Sequence, residues 1–105
     1  MKKTLSIIFV SFLALLFTTT VSAAQYCPAP GQNAAGFTSA NTNGLQLHNV
    51  DITMNQTKVV CDYHGGNGAV SKILMGSGFS PAGNNWGAYG SRYQCVSSNP
   101  TDCPF

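Results

Sequence analysis

Four cysteines, Cys27, Cys61, Cys95 and Cys103, constrain this 105-residue chain more than any other feature. An even cysteine count in a small chain reads as a disulfide framework in an oxidising compartment, and as metal or redox chemistry in a reducing one. The first residues decide between these. "MKK" is a short basic start, "TLSIIFVSFLALLF" is an apolar run, and "TTTVSAAQ" ends it in small residues, the pattern of a secretory signal peptide. Cleavage after Ala23 places Val21 and Ala23 at the recognition positions, and cleavage after Ala24 uses Ser22 and Ala24; the first is preferred. The unbroken apolar part is short for a span of about 20 residues. Gln25 and Tyr26 precede Cys27 where a lipoprotein signal needs small residues. The expected organisation is a signal peptide at 1–23 and one disulfide-stapled domain at 24–105. The mature product is then secreted or periplasmic, with no stable membrane insertion.

Cleavage removes Lys2 and Lys3 and leaves Lys58, Lys72 and Arg92 against Asp51, Asp62 and Asp102, a formal charge of zero. No basic patch remains to neutralise phosphates, which argues against a nucleic-acid partner. A domain this small buries too little surface to be secure without staples. Three pairings of the cysteines are possible. Cys95 with Cys103, around the turn at Asn99-Pro100, and Cys27 with Cys61, tying the N-terminal segment to the central strand, are favoured.

The middle of the chain alternates as strands do. Val50, Ile52 and Met54, then Val59, Cys61 and Tyr63, fall on one face if Asn55-Gln56 is the turn, with Ile52 opposite Val59, Val50 opposite Cys61 and His48 opposite Tyr63. Asn49, Asp51, Thr53, Lys58, Val60 and Asp62 fall on the other. "HGGNG" then reads as a hairpin connection, Asn67-Gly68 being a strong turn signal. With His64 to Gly68 as the loop, "AVSKILM" returns as a third strand that adds Ile73 and Met75 to the apolar face and points Val70 and Leu74 away. "CPAPGQNAAGFTSANTNG" reads as a looped entry anchored by Phe37. The expected fold is all-β, a small antiparallel meander or sandwich-like domain.

Chemical sites are sparse. Cys61 and His64 have zinc-like spacing, but a structural zinc needs four ligands and the cysteines are better used as disulfides, so no metal and no cofactor are expected. A hydrolase would pair His48 or His64 with Asp51 or Asp62. The register opposes this for His48, which shares a face with Tyr63 and reads as a hydrogen-bonded core-edge residue, while His64 reads as a solvated loop residue. Gly65 to Gly68 lacks the following Lys-Ser or Lys-Thr of a phosphate cradle. No catalytic residue is assigned.

"GSGFSPAGNNWGAYGSRYQC" carries Phe79, Trp86, Tyr89, Arg92 and Tyr93 among glycines and asparagines. Aromatic side chains on such a stretch can stack on sugars or anchor a protein, and arginine adds a planar donor. The favoured reading of the same residues is that Phe79 and Trp86 plug the small core while the tyrosines rim it. The candidate binding residues are Trp86, Tyr89, Arg92 and Tyr93.

Cys27-Pro28 near the mature start, "VVCDY" in the central strand, the late Trp86 in "NNWGAYG" and the terminal "CVSSNPTDCPF" resemble a family of small exported bacterial proteins of unknown function. The resemblance implies an exported all-β domain and brings no activity with it. The function expected is that of a binding domain for a protein or glycan at a cell envelope or host surface. A small secreted hydrolase or toxin and an inhibitor-like or structural envelope protein are the alternatives.

Overall fold

The computed structural model describes residues 24–66 and 68–105; the signal segment expected at 1–23 lies outside them, as does Asn67. Alternation around Val50 and Cys61 becomes the antiparallel pair β1 (Gln46–Thr53) and β2 (Lys58–Gly65). Ile52 faces Val59 and Val50 faces Cys61, as the pattern requires, and all four are fully buried. At the turn the Gln56 N–H donates to the Thr53 carbonyl at 2.8 Å.

The far end of this pair departs from simple alternation. Leu47 pairs with Tyr63 and Asn49 with Asp62, so His48 is an extra residue, a β-bulge in β1. One inserted residue reverses the facing of everything beyond it. Leu47 therefore turns inward, 2 % exposed, and His48 turns out to solvent instead of standing opposite Tyr63. The Tyr63 hydroxyl, wholly buried, donates to the Pro28 carbonyl at 2.5 Å, and burial pushes its pKa up to about 12.

The third strand, β3 (Gly68–Met75), is offset by one from the expected register. Gly65 pairs with Gly68, leaving a two-residue loop, so His64 belongs to β2 and not to a loop. An even loop in place of an odd one flips the strand. Val70, Lys72 and Leu74 face inward with Tyr63, Cys61 and Val59, while Ser71, Ile73 and Met75 face out. Gly65 extends the ladder because a Cβ there would meet Leu45 Cδ2 at 2.6 Å; only glycine lets β2 run on beside Leu45. The flip buries Lys72 completely. Its ammonium donates to Asn33 Oδ1 at 2.8 Å and reaches the Thr38 carbonyl at 3.4 Å, so the N-terminal segment supplies the acceptors that burial demands.

The late aromatic stretch, for all its glycines and asparagines, forms two more strands, β4 (Trp86–Tyr89) and β5 (Arg92–Val96). Gly90, at φ +59°, opens the two-residue loop that joins them. β5 pairs with β1, giving one five-stranded antiparallel sheet in the order β3-β2-β1-β5-β4. The fold is all-β with a single sheet.

One face of that sheet is covered by the chain's own ends. Cys27 is bonded to Cys61 on β2 and Cys103 to Cys95 on β5, the two pairings expected. The two ends also meet each other: the Gln25 N–H donates to the Phe105 carbonyl at 2.7 Å and the Phe105 N–H to the Gln25 carbonyl at 2.9 Å. Phe37 packs on the core and bridges to Leu74, as its role of anchor predicts. Phe79 meets Phe105 edge to face. Leu47, Val50, Ile52, Val59 and Tyr63 form the core beneath these segments. Among the described residues, no helix is long and apolar enough to cross a membrane.

Candidate functional site on the open sheet face

The opposite face has no such cover, and strand parity decides what it displays. Trp86 and Ala88 pair with Cys95 and Tyr93 on the covered side, whereas Gly87 and Tyr89 pair with Gln94 and Arg92 on the open side. The four candidate binding residues thus divide. Trp86 is half-buried against the core, and its indole N–H donates to the Pro104 carbonyl at 3.0 Å. Tyr93 is half-buried beside Ile52. Tyr89 and Arg92 stand next to each other in the open, with the Tyr89 residue 58 % exposed and the Arg92 side chain 54 % exposed.

The position of Tyr89 is set by a glycine. A Cβ on Gly87 would lie 3.0 Å from Tyr89 Cε2 and 3.5 Å from Cζ, so the ring leans over the bare backbone of Gly87. This packs one part of the ring on the sheet and leaves the remainder exposed.

Inward along the same face lies Asp51. It pairs with Gln94 on β5 and Val60 on β2, and Ile73 follows on β3. Its Oδ2 accepts from Asn49 Nδ2 at 3.3 Å. Its Oδ1 is buried and has no hydrogen-bond partner; Arg92 Nε approaches only to 3.7 Å. Burial raises the carboxyl above its usual pKa and the nearby Asp62 charge adds to this, while the Gln94 amide, Arg92 and Asn49 counter it in part. Asp62 is better served, accepting from Asn49 Nδ2 at 2.9 Å and Ser71 Oγ at 2.5 Å. Asn49 therefore bridges two carboxylates.

Thr53, Lys58 and Met75 share a row with Arg92 and Tyr89. An open depression of about 410 Å³ at the β1–β2 turn is lined by Thr53, Lys58, Met75 and Ser91 and by the turn residues Met54, Asn55 and Thr57; neither Arg92 nor Tyr89 lines it. Met75, 66 % exposed, supplies an apolar wall.

The hydrolase arrangement is not assembled here. The bulge brings His48 to the same face as Asp51 and Asp62, contrary to the simple register. The imidazoles nevertheless stack on each other, with ring centroids 4.2 Å apart and planes 11° from parallel. Among the described residues, neither lies within ion-pair distance of a carboxylate. Cys61 is in a disulfide and unable to ligate zinc with His64. No group of three His, Cys, Asp or Glu side chains among the described residues converges on a metal position.

The polar face itself was legible, since Asn49, Asp51 and Asp62 alternate with the core positions. Ser71 and Gln94 were missed because their facing depends on a loop length and on a strand that glycine-rich sequence concealed. No family model matches this chain, and no curated protein or solved structure is significantly similar to it.

Proposed function

We propose that the protein is an exported bacterial binding domain, secreted or periplasmic, that holds a glycan across the open sheet face at Tyr89, Arg92 and Asp51. The observation that carries this reading is the buried Asp51 Oδ1, an ionisable acceptor without a donor, beside an exposed guanidinium and tyrosine ring. Leaving such an oxygen unpaired costs stability, and because it is buried a ligand hydroxyl satisfies it by taking the place of the exposed Arg92 side chain beside it. A sugar brings hydroxyl donors and acceptors for Asp51 and Arg92 and an apolar ring face for Tyr89. The depression toward Met75 extends the contact beyond one residue.

Two features support export. The signal-like start is one, and two disulfides closing a small domain are the other. Trp86 and Tyr93, pinned on the covered side, support the site by holding β4 and β5 in place and do not line it.

The oxidised mature protein, screened against arrayed bacterial-envelope and host-surface glycans, should bind a restricted set. Tyr89→Ala and Arg92→Ala should each weaken that binding at least tenfold while leaving the thermal midpoint nearly unchanged. Full binding by both variants would refute the site. Binding to a protein alone, with the same two residues required, would keep the site and replace the glycan.

A further inference from the structure

The chain has two histidines, and the fold brings them together. They come from different strands, His48 from the bulge in β1 and His64 from β2, and both are exposed. Without the bulge, alternation would send His48 to the covered side with Val50 and Ile52. The inserted residue aims its imidazole at His64 instead.

We propose that His48 and His64 form a two-imidazole site for a divalent transition metal, with Cu²⁺ bound most tightly and Zn²⁺ less so. Neutral imidazole is a borderline-soft donor that suits these ions, and copper stands at the top of the affinity order for divalent first-row metals. Metal–imidazole bonds of about 2.0 Å place two adjacent donor nitrogens about 3 Å apart. The stacked rings, 4.2 Å apart and 11° from parallel, show that the two side chains reach each other, but imidazole donates in its ring plane, so metal binding requires both exposed rings to rotate out of the stack until their lone pairs converge. Two covalently positioned donors bind more tightly than one because the second meets the metal at high effective concentration.

Asp62, on the same face, is occupied by Asn49 and Ser71 and does not join them. The remaining coordination positions therefore belong to water or to a group brought by a partner. The pair lies at the Gln46–His64 end of the sheet, whereas Arg92 and Tyr89 lie at the Thr53 end. The metal proposal is independent of the glycan proposal.

The test uses the folded, oxidised chain and Cu²⁺ or Zn²⁺ alone. Titration with Zn²⁺ should shift the ring C–H resonances of both histidines together and saturate at one equivalent. Cu²⁺ should bind more tightly and show nitrogen coupling from two imidazoles in its electron paramagnetic resonance spectrum. His48→Ala and His64→Ala should each weaken binding at least tenfold, with His64→Gln as a conservative check; thermal melts establish that each is folded. Should a variant fail to fold, the wild-type ring resonances still decide. Response of one ring only, absence of saturation, or unchanged affinity in either folded single variant would overturn the proposal.

Discussion

The two faces of the sheet are built from the same strands and solve opposite problems. On the covered face the buried polar side chains are partnered: Tyr63 has the Pro28 carbonyl, Lys72 has Asn33 and Thr38, and the half-buried Trp86 has the Pro104 carbonyl. The segments that provide these acceptors are the ones the disulfides tie down. On the open face Asp51 is left with an unpaired buried oxygen, and Tyr89, Met75 and Val96 expose apolar surface. The same small domain thus satisfies a buried lysine on one side and leaves a carboxylate oxygen short on the other, the side on which we propose that a ligand binds. Strand parity separates the covered face from the open one, one residue apart along the chain.

The largest effect should come from cutting the covered face loose. Cys27–Cys61 spans 34 residues and Cys95–Cys103 spans 8. Restriction of the unfolded chain predicts losses of about 4 and about 2.5 kcal/mol, respectively. The Cys27→Ala/Cys61→Ala double variant should therefore lower the denaturant midpoint more than Cys95→Ala/Cys103→Ala. The first also frees the segment whose Asn33 and Pro28 serve Lys72 and Tyr63. Equal losses would show that the N-terminal cover stays in place without its staple.

Residues four positions or fewer apart sharpen the contrast further. Trp86→Ala removes a half-buried indole and its hydrogen bond, and should cost about 2–3 kcal/mol, below the ~3–5 kcal/mol of a fully buried aromatic. Tyr89→Ala, on the open face, should cost less than about 1 kcal/mol because its ring is mostly solvated. Urea unfolding of the two variants reads this directly. A large loss at Tyr89 would mean that the ring's contact with Gly87 is part of the fold and not only of the site.

How much of this was readable in the sequence follows from where parity is fixed. The β1–β2 register around Val50 and Cys61 was legible because alternating apolar residues fix it locally, and of the three possible cysteine pairings the favoured one formed; the short Cys95–Cys103 loop is a local signal, whereas Cys27–Cys61 closes over 34 residues. β3 came out one residue off because "HGGNG" offers loops of either parity, and the choice depends on Gly65 fitting against Leu45, a long-range contact. The bulge at His48 was concealed for the same reason: "LQLHNV" alternates plausibly in either register, and burial of Leu47 decides. β4 and β5 were hidden by Gly87 and Gly90, which look like loop residues although one seats Tyr89 and the other makes the hairpin turn. Placing the late aromatics as one patch was the consequence. Two strands with opposite-facing neighbours split it into Trp86 and Tyr93 on one side and Tyr89 and Arg92 on the other.

The smallest expected stability change is the most discriminating, because its sign depends on pH. Asp51 has its carboxyl raised above the ordinary value of 3.8, chiefly by burial, so the folded state holds the proton more firmly than the unfolded chain does. Below 3.8 both states are largely protonated and the group costs nothing. As pH rises from there through the raised folded pKa, the unfolded chain gives up its proton first and wild-type stability falls; above that window the full penalty of the buried charge is present. Asp51→Asn cannot ionise, yet its amide oxygen can still accept from Asn49. Relative to wild type it should gain nothing at pH 3, gain stability across the window, and keep that gain at pH 7, as read by thermal midpoints at matched ionic strength. The same substitution should abolish glycan binding at pH 7, since the ionised acceptor facing Arg92 is gone. A variant more stable than the natural protein and unable to bind would mark Asp51 as a residue held for recognition at the expense of the fold. A variant less stable at pH 7 would show instead that the 3.7 Å approach of Arg92 outweighs burial, and that the open face, like the covered one, is arranged first for stability.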